Sequence, residues 1–177
     1  MIDIILIMTI IDSMETMNRI FIIGCPGSGK SSLGRILKDK KDLPLYYLDM
    51  IYHLPDKSHI TAEAFTKKLK TITDNDKWII DGVYFNYVKE YFHKADTIFY
   101  LDIPLDICLE SGKRRSGVLR EDFPYIEDSN DEVFHNYIRN FNINFKDAIL
   151  KELALYPHLN IIIFHSYKEI DDYVSTL

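Results

Sequence analysis

The run Gly24-Cys25-Pro26-Gly27-Ser28-Gly29-Lys30-Ser31 reads G-x-x-x-x-G-K-S, a complete Walker A phosphate-binding loop. It directly follows the apolar run Ile20-Phe21-Ile22-Ile23 and directly precedes a helix-forming stretch from Ser32 to Lys40. Strand, glycine-rich bend and helix in that order are the context that gives the motif meaning. The glycines let the backbone bend and approach an anion without a Cβ in the way. Successive N–H groups then form a nest, and the helix that starts there adds its unpaired N–H groups and positive dipole end. Lys30 reaches β- and γ-phosphate oxygens, and the Ser31 hydroxyl sits on Mg²⁺. The expected cofactors are ATP and Mg²⁺, with the nucleotide held by Gly24, Cys25, Pro26, Gly27, Ser28, Gly29, Lys30, Ser31 and Ser32.

The rest of the chain alternates short apolar runs with helical periodicity. Strands are expected at about 19–23, 45–48, 78–80, 97–101 and 160–164. Between them the spacing predicts helices to about residue 41, near 61–73, over about 105–115 and over about 131–155, with a short one at the end. The long helix carries the stripe Phe134, Tyr137, Ile138, Phe141, Phe145 and Ile149. This order predicts an α/β P-loop NTPase fold, a five-stranded parallel sheet in a three-layer α/β/α sandwich. Ligands of such sheets bind beyond the carboxyl ends of the strands.

A chain of 177 residues, 47% hydrophobic and 27% charged, suits one globular domain. Its net charge of −6 argues against direct nucleic-acid binding, which rests on clustered Lys and Arg. Cys25 and Cys108 form neither a zinc pattern nor a disulfide framework, which fits a reducing cytoplasm. Residues 1–17 are expected to be an N-terminal extension, an upstream start or mobile arm, and 18–177 the kinase-like domain. Met1 to Ile11 is too short to span a bilayer and lacks the features of a signal peptide.

Three aspartates fall at expected strand ends. Asp81, in Trp78-Ile79-Ile80-Asp81-Gly82, is the first candidate to orient magnesium beside Ser31, with Gly82 leaving room for a ligand; Asp102 is the second. Asp49 is placed to hold an acceptor hydroxyl or take its proton, or else to cap a turn. Phosphoryl transfer also needs positive charge on the migrating group. Arg114, Arg115 and Arg120 bracket the irregular segment 116–130, which reads as a lid closing over ATP phosphates or as a solvated loop. Arg139 follows on the long helix, and Arg114 is also a candidate nucleotide contact. Between Arg35 and Arg114 there is no arginine, although tyrosines are plentiful. An arginine fork for an acceptor phosphate is therefore missing.

These motifs, with Leu48-Asp49-x-Ile51-Tyr52, Asp81-Gly82-x-Tyr84, Ala95-Asp96-Thr97-Ile98, Leu101-Asp102-x-Pro104, Lys113-Arg114-Arg115 and Phe141-Asn142-x-Asn144, resemble the bacterial "DNA topology modulation protein" group. These are adenylate-kinase-related phosphate-loop proteins. The resemblance covers roughly residues 19–166 and implies an adenylate-kinase-like fold with a lid, using ATP and magnesium. It departs on the acceptor side. Val83 stands where the group has Asn, Asn86 and Tyr91 where arginines are common, His53 where an aromatic is usual, and Phe85 where adenylate kinases carry arginine. Two functions follow as expectations: a small-molecule kinase with an unidentified acceptor, or an ATP-binding regulator acting on DNA topology through a partner. Either would act as a monomer or homodimer.

Overall fold

The structure is a computed structural model describing residues 17–128 and 131–177. The expected leader lies outside these residues except for Met17, which is buried against the core, 3.6 Å from the Tyr173 hydroxyl. The last two residues of the expected lid segment, 129 and 130, also lie outside.

Five strands form the sheet: β1 (Arg19–Gly24), β2 (Leu45–Tyr47), β3 (Trp78–Asp81), β4 (Thr97–Leu101) and β5 (Asn160–Phe164). Their order is β2-β3-β1-β4-β5, and every pairing is parallel. β1 is central because its side chains are apolar on both faces; Ile20, Phe21 and Ile22 have no exposed surface. Burying each such side chain contributes about 1.5–3 kcal/mol before conformational entropy is counted. Parallel pairing requires crossovers, and the helices supply them. The α-helices are α1 (Lys30–Lys41), α2 (Leu48–Tyr52), α3 (Ala62–Thr73), α4 (Phe85–Val88), α5 (Leu105–Arg115), α6 (Glu132–Arg139), α7 (Asp147–Leu153) and, after the last strand, α8 (Tyr167–Ser175).

Two segments differ from the periodicity reading. The second strand stops at Tyr47, and the chain turns directly into α2. Leu48 is wholly buried there, and Asp49 lies in the first turn of a helix rather than at a strand end. The expected long helix is divided. α6 ends at Asn140, whose ψ of 4° leaves the helical range, and a π-helical turn (Asn142–Lys146) precedes α7. The apolar stripe survives this break: Ile138, Phe141 and Ile149 are buried, and the Phe141 and Phe145 rings lie 5.2 Å apart. The stripe is set by what the helix packs against, so periodicity reports the face and misses the local winding.

The order places β1 between β3 and β4, so the crossovers leave its carboxyl end in opposite directions. A crevice opens at such a switch point. The glycine-rich loop occupies it.

Candidate active site

The loop leaves β1 at Gly24 and closes with the Ser28 amide donating to the Cys25 carbonyl at 3.1 Å. Gly27, at φ 84°, approaches α5 so closely that a Cβ there would lie 2.2 Å from the Cys108 carbonyl oxygen. Gly29 is the N-cap of α1 at φ 96°, a left-handed conformation that L side chains rarely adopt. No acidic residue lies in the first turn of α1, so its positive end is left for an anion. The Lys30 ammonium donates to the Cys25 carbonyl at 2.9 Å, within the loop itself. Cys25 packs on Cys108; that neighbouring thiol and burial push the Cys25 thiol well up, so it stays protonated.

Asp81, in register with Ile22 of β1, is 5% exposed. Burial pushes its carboxyl up to about 6, while Lys30 and a hydrogen bond with Ser31 pull it down and Asp49 and Asp122 push it further up. Gly82 serves packing rather than ligand space, because a Cβ there would lie 2.6 Å from the Leu48 side chain. Asp102 is engaged elsewhere. It accepts from Lys146 at 2.7 Å and lies 3.3 Å from the His165 ring, tying β4 to the π-helical turn and to the end of β5. Asp49 accepts from the Tyr84 hydroxyl at 2.8 Å, which holds one carboxylate oxygen.

Three cavities meet at the loop. The first, about 370 Å³, is lined by Gly27, Gly29, Lys30, Ser31 and Ser32 with Arg115 and Arg120. The second, about 520 Å³, is lined by Gly29, Ser32, Arg114, Arg115 and Tyr167. The third, about 640 Å³, holds Lys30, Ser31, Asp49, Asp81, Tyr84 and Arg115 among its walls.

The arginines therefore separate. Arg115, one helical step from Arg114, faces all three spaces and is 3.8 Å from Glu127. Arg114 is mostly exposed, near Glu110, and reaches only the second cavity. Arg120 comes from segment 116–128 and is held by Glu127 at 2.6 Å and Asp122 at 3.4 Å. Arg139 lies apart on α6, bonded to Glu132 and Asn136.

Sequence reading missed Tyr167. It opens α8, donates its hydroxyl to the Gly27 carbonyl at 2.8 Å and lays its ring 3.2 Å from where a Gly29 Cβ would be. Its only sequence signal is its place just after the last strand. Arg35 and Glu121 were missed too; they pair at 3.2 Å on the rim of the first cavity.

The solved structures that this chain resembles in fold include several kinases. Shikimate kinase from Bacteroides thetaiotaomicron superposes with TM-score 0.57 at 17% identity, over 90% of this chain and 95% of that one. A gluconokinase from Sinorhizobium meliloti 1021 gives 0.58 at 12%, over 90% and 89%. Deoxyadenosine kinase from M. mycoides gives 0.54 at 13%, over 89% and 95%. The fold is that of an α/β P-loop NTPase. At these identities the likeness speaks for the fold alone. No family model matches the sequence. The uncharacterized protein YqaC of Bacillus subtilis (strain 168) is 36% identical over 54% of this chain, a stretch spanning 55% of that protein. Among the described residues, no helix is long and apolar enough to cross a membrane.

Proposed function

We propose that this chain is an ATP-dependent small-molecule phosphotransferase, an adenylate-kinase-related kinase with residues 18–177 as its domain and 116–130 as its lid. The observation that carries the reading is the shared wall. Lys30 and Ser31 line both the phosphate cleft and the large cavity on its far side, so a polyphosphate and an acceptor would meet there. The second cavity, floored by Gly29 and walled by Tyr167 and Arg114, suits the nucleotide base, with Tyr167 offering a ring face.

The residues fit magnesium. Ser31 and Asp81 are hard oxygen donors side by side, and the burial that raises Asp81 penalises its anion until a cation sits near. Among the described residues there is no cluster of three or more His, Cys, Asp and Glu able to hold a metal alone. That matches an ion bound through one or two protein ligands together with substrate phosphates. Bound there by Ser31 and Asp81, magnesium supplies positive charge against the phosphate oxygens.

The chain's own groups do the rest. Loop amides and Lys30 position the polyphosphate; Arg115 and Arg120 stand over it to offset charge on the migrating group. Asp49, with one oxygen held by Tyr84, is oriented to take the acceptor's hydroxyl proton. The alternative, a regulator acting on DNA through a partner, rests on the resemblance to the "DNA topology modulation protein" group alone.

Calorimetry of magnesium–ATP uptake with Lys30→Ala, Asp81→Asn and Asp102→Asn tests the assignment. Lys30→Ala is expected to weaken binding about tenfold or more, the worth of charge-assisted bonds to phosphate. Asp81→Asn should abolish the advantage of magnesium over metal-free ATP, whereas Asp102→Asn should leave it intact. No uptake by the folded wild-type protein refutes the reading.

A further inference from the structure

The 640 Å³ cavity is rich in rings and poor in cations that an acceptor could use. Tyr84, Tyr87, Phe123, Tyr125, Tyr137 and Phe145 line it. Around the cavity, Tyr84 packs 5.0 Å from the buried Phe65, Phe123 lies 4.8 Å from Tyr125, and Tyr137 5.8 Å from Phe145, ring centre to ring centre. The volume falls inside the range of about 300–1,000 Å³ usual for small-molecule sites.

Its charges are mostly negative. The carboxylates of Asp49, Asp81, Glu127, Asp128 and Asp131 line the walls, with Glu127 already paired with Arg120 at 2.6 Å. The facing cations are Lys30, Lys57 and Arg115. Lys30 belongs to the phosphate loop. Arg115 is shared between Glu127 at 3.8 Å and the Phe134 ring at 5.7 Å. Lys57 sits exposed at the rim, its ammonium 5.8 Å from the centre of the Tyr125 ring. His53 also lines the space, and burial lowers its pKa, which keeps the imidazole neutral near pH 7. An acceptor carrying phosphate or carboxylate would meet mostly like charge, and Arg115, the one arginine among the lining residues, also faces the phosphate cleft, where the transferred group needs it. A planar heteroaromatic ring finds faces to stack on, and its N–H groups find carboxylates.

Resting on the kinase reading above, we infer that the phosphoryl acceptor is an unphosphorylated nucleoside, its base held among these rings and its sugar hydroxyl at Asp49. In the step, the hydroxyl oxygen bonds to the γ-phosphorus of ATP as the bond from that phosphorus to the β,γ-bridging oxygen breaks. ADP leaves with the electron pair, and the hydroxyl proton passes to the Asp49 carboxylate. Nucleoside monophosphates and sugar acids are excluded as good acceptors by the same walls.

The test is a panel: the common ribo- and deoxyribonucleosides, their 5′-monophosphates, shikimate and gluconate, read by acceptor-dependent ADP release. Direct binding of the nucleosides without ATP is measured alongside by ligand-observed NMR. At least one nucleoside is expected to exceed its own monophosphate in kcat/KM by about a hundredfold, the cost of placing like charges together. Asn86→Arg, at an exposed position lining the cavity, adds a cation and should narrow that gap about tenfold. Preference for a monophosphate or a sugar acid overturns the inference, as does ATP uptake with no nucleoside bound or turned over. If magnesium–ATP is not taken up, the kinase reading falls, and nucleoside binding alone then decides the chemistry of the cavity.

Discussion

Asp81 and Asp102 look alike in the sequence, each following an apolar strand, and they part only in three dimensions. Asp81 faces Lys30 and Ser31, while Asp102 is neutralised by Lys146, forty-four residues away. Asp81 also gives a signed pH dependence. Its carboxyl rises from 3.8 to about 6 on folding. Between those values the native state keeps a proton that the unfolded chain has lost, so stability falls as pH rises through the window and the full penalty stands above it. Two pK units correspond to about 3 kcal/mol. In chelator-treated protein, the difference in unfolding free energy between wild type and Asp81→Asn should therefore shift by about that amount from pH 4 to pH 7. Urea titrations at each pH measure it, and a constant difference refutes the assignment. The identities of the loop residues were legible because the motif is contiguous. The division of labour between Arg114 and Arg115 was not, because one residue of helical rotation decides which cavity each faces.

At the scale of elements, the phosphate loop and α5 are one packed unit. Gly27 meets the Cys108 carbonyl of α5, a contact between residues eighty-one apart that the motif itself does not reveal. Gly27→Ala combines a positive φ with a backbone clash, whereas Gly117→Ala has a positive φ of 78° and nothing within 4 Å. The first should cost about 2–4 kcal/mol and the second about 1. Thermal melts should then show a drop of roughly 5–10 °C for Gly27→Ala and a few degrees for Gly117→Ala. Equal losses would mean that strain at φ, not the approach of α5, governs the position. The strands were legible because continuous apolar runs are what a sheet covered on both faces demands. α2 was not, since Leu48 continues the apolar run of β2, and only the fold packs it closely against Gly82.

Across the whole molecule, segment 116–128 reaches back to α1 and β2 through Glu121, besides the Arg115–Glu127 pair that ties it to α5. Glu121 pairs with Arg35 of α1 at 3.2 Å and accepts from the Tyr47 hydroxyl of β2 at 3.0 Å. Burial pushes Tyr47 up to about 12, so its phenol keeps the proton it donates. Arg35 and Glu121 are exposed, and pairs of that kind contribute about 0–1 kcal/mol. On the kinase reading proposed above, so weak a contact would let the segment open for each nucleotide. Glu121→Ala should raise amide exchange over 116–128 by up to about fivefold, with the strands unchanged. Hydrogen-exchange mass spectrometry reads both regions, and unchanged exchange over the segment refutes the latch.

What the sequence determined by itself was everything encoded in neighbouring residues: the glycine-rich bend, the apolar runs, the lysine and serine beside them. Backbone preference and burial act over a few positions, so they survive in the linear order. Strand order decided the rest. It set Asp102 against Lys146, brought Tyr167 to Gly29, gathered the rings around Asp49 and laid Glu121 on Arg35. Those pairings join residues from across the chain, and they exist only because parallel crossovers fold the carboxyl ends of the strands onto one edge.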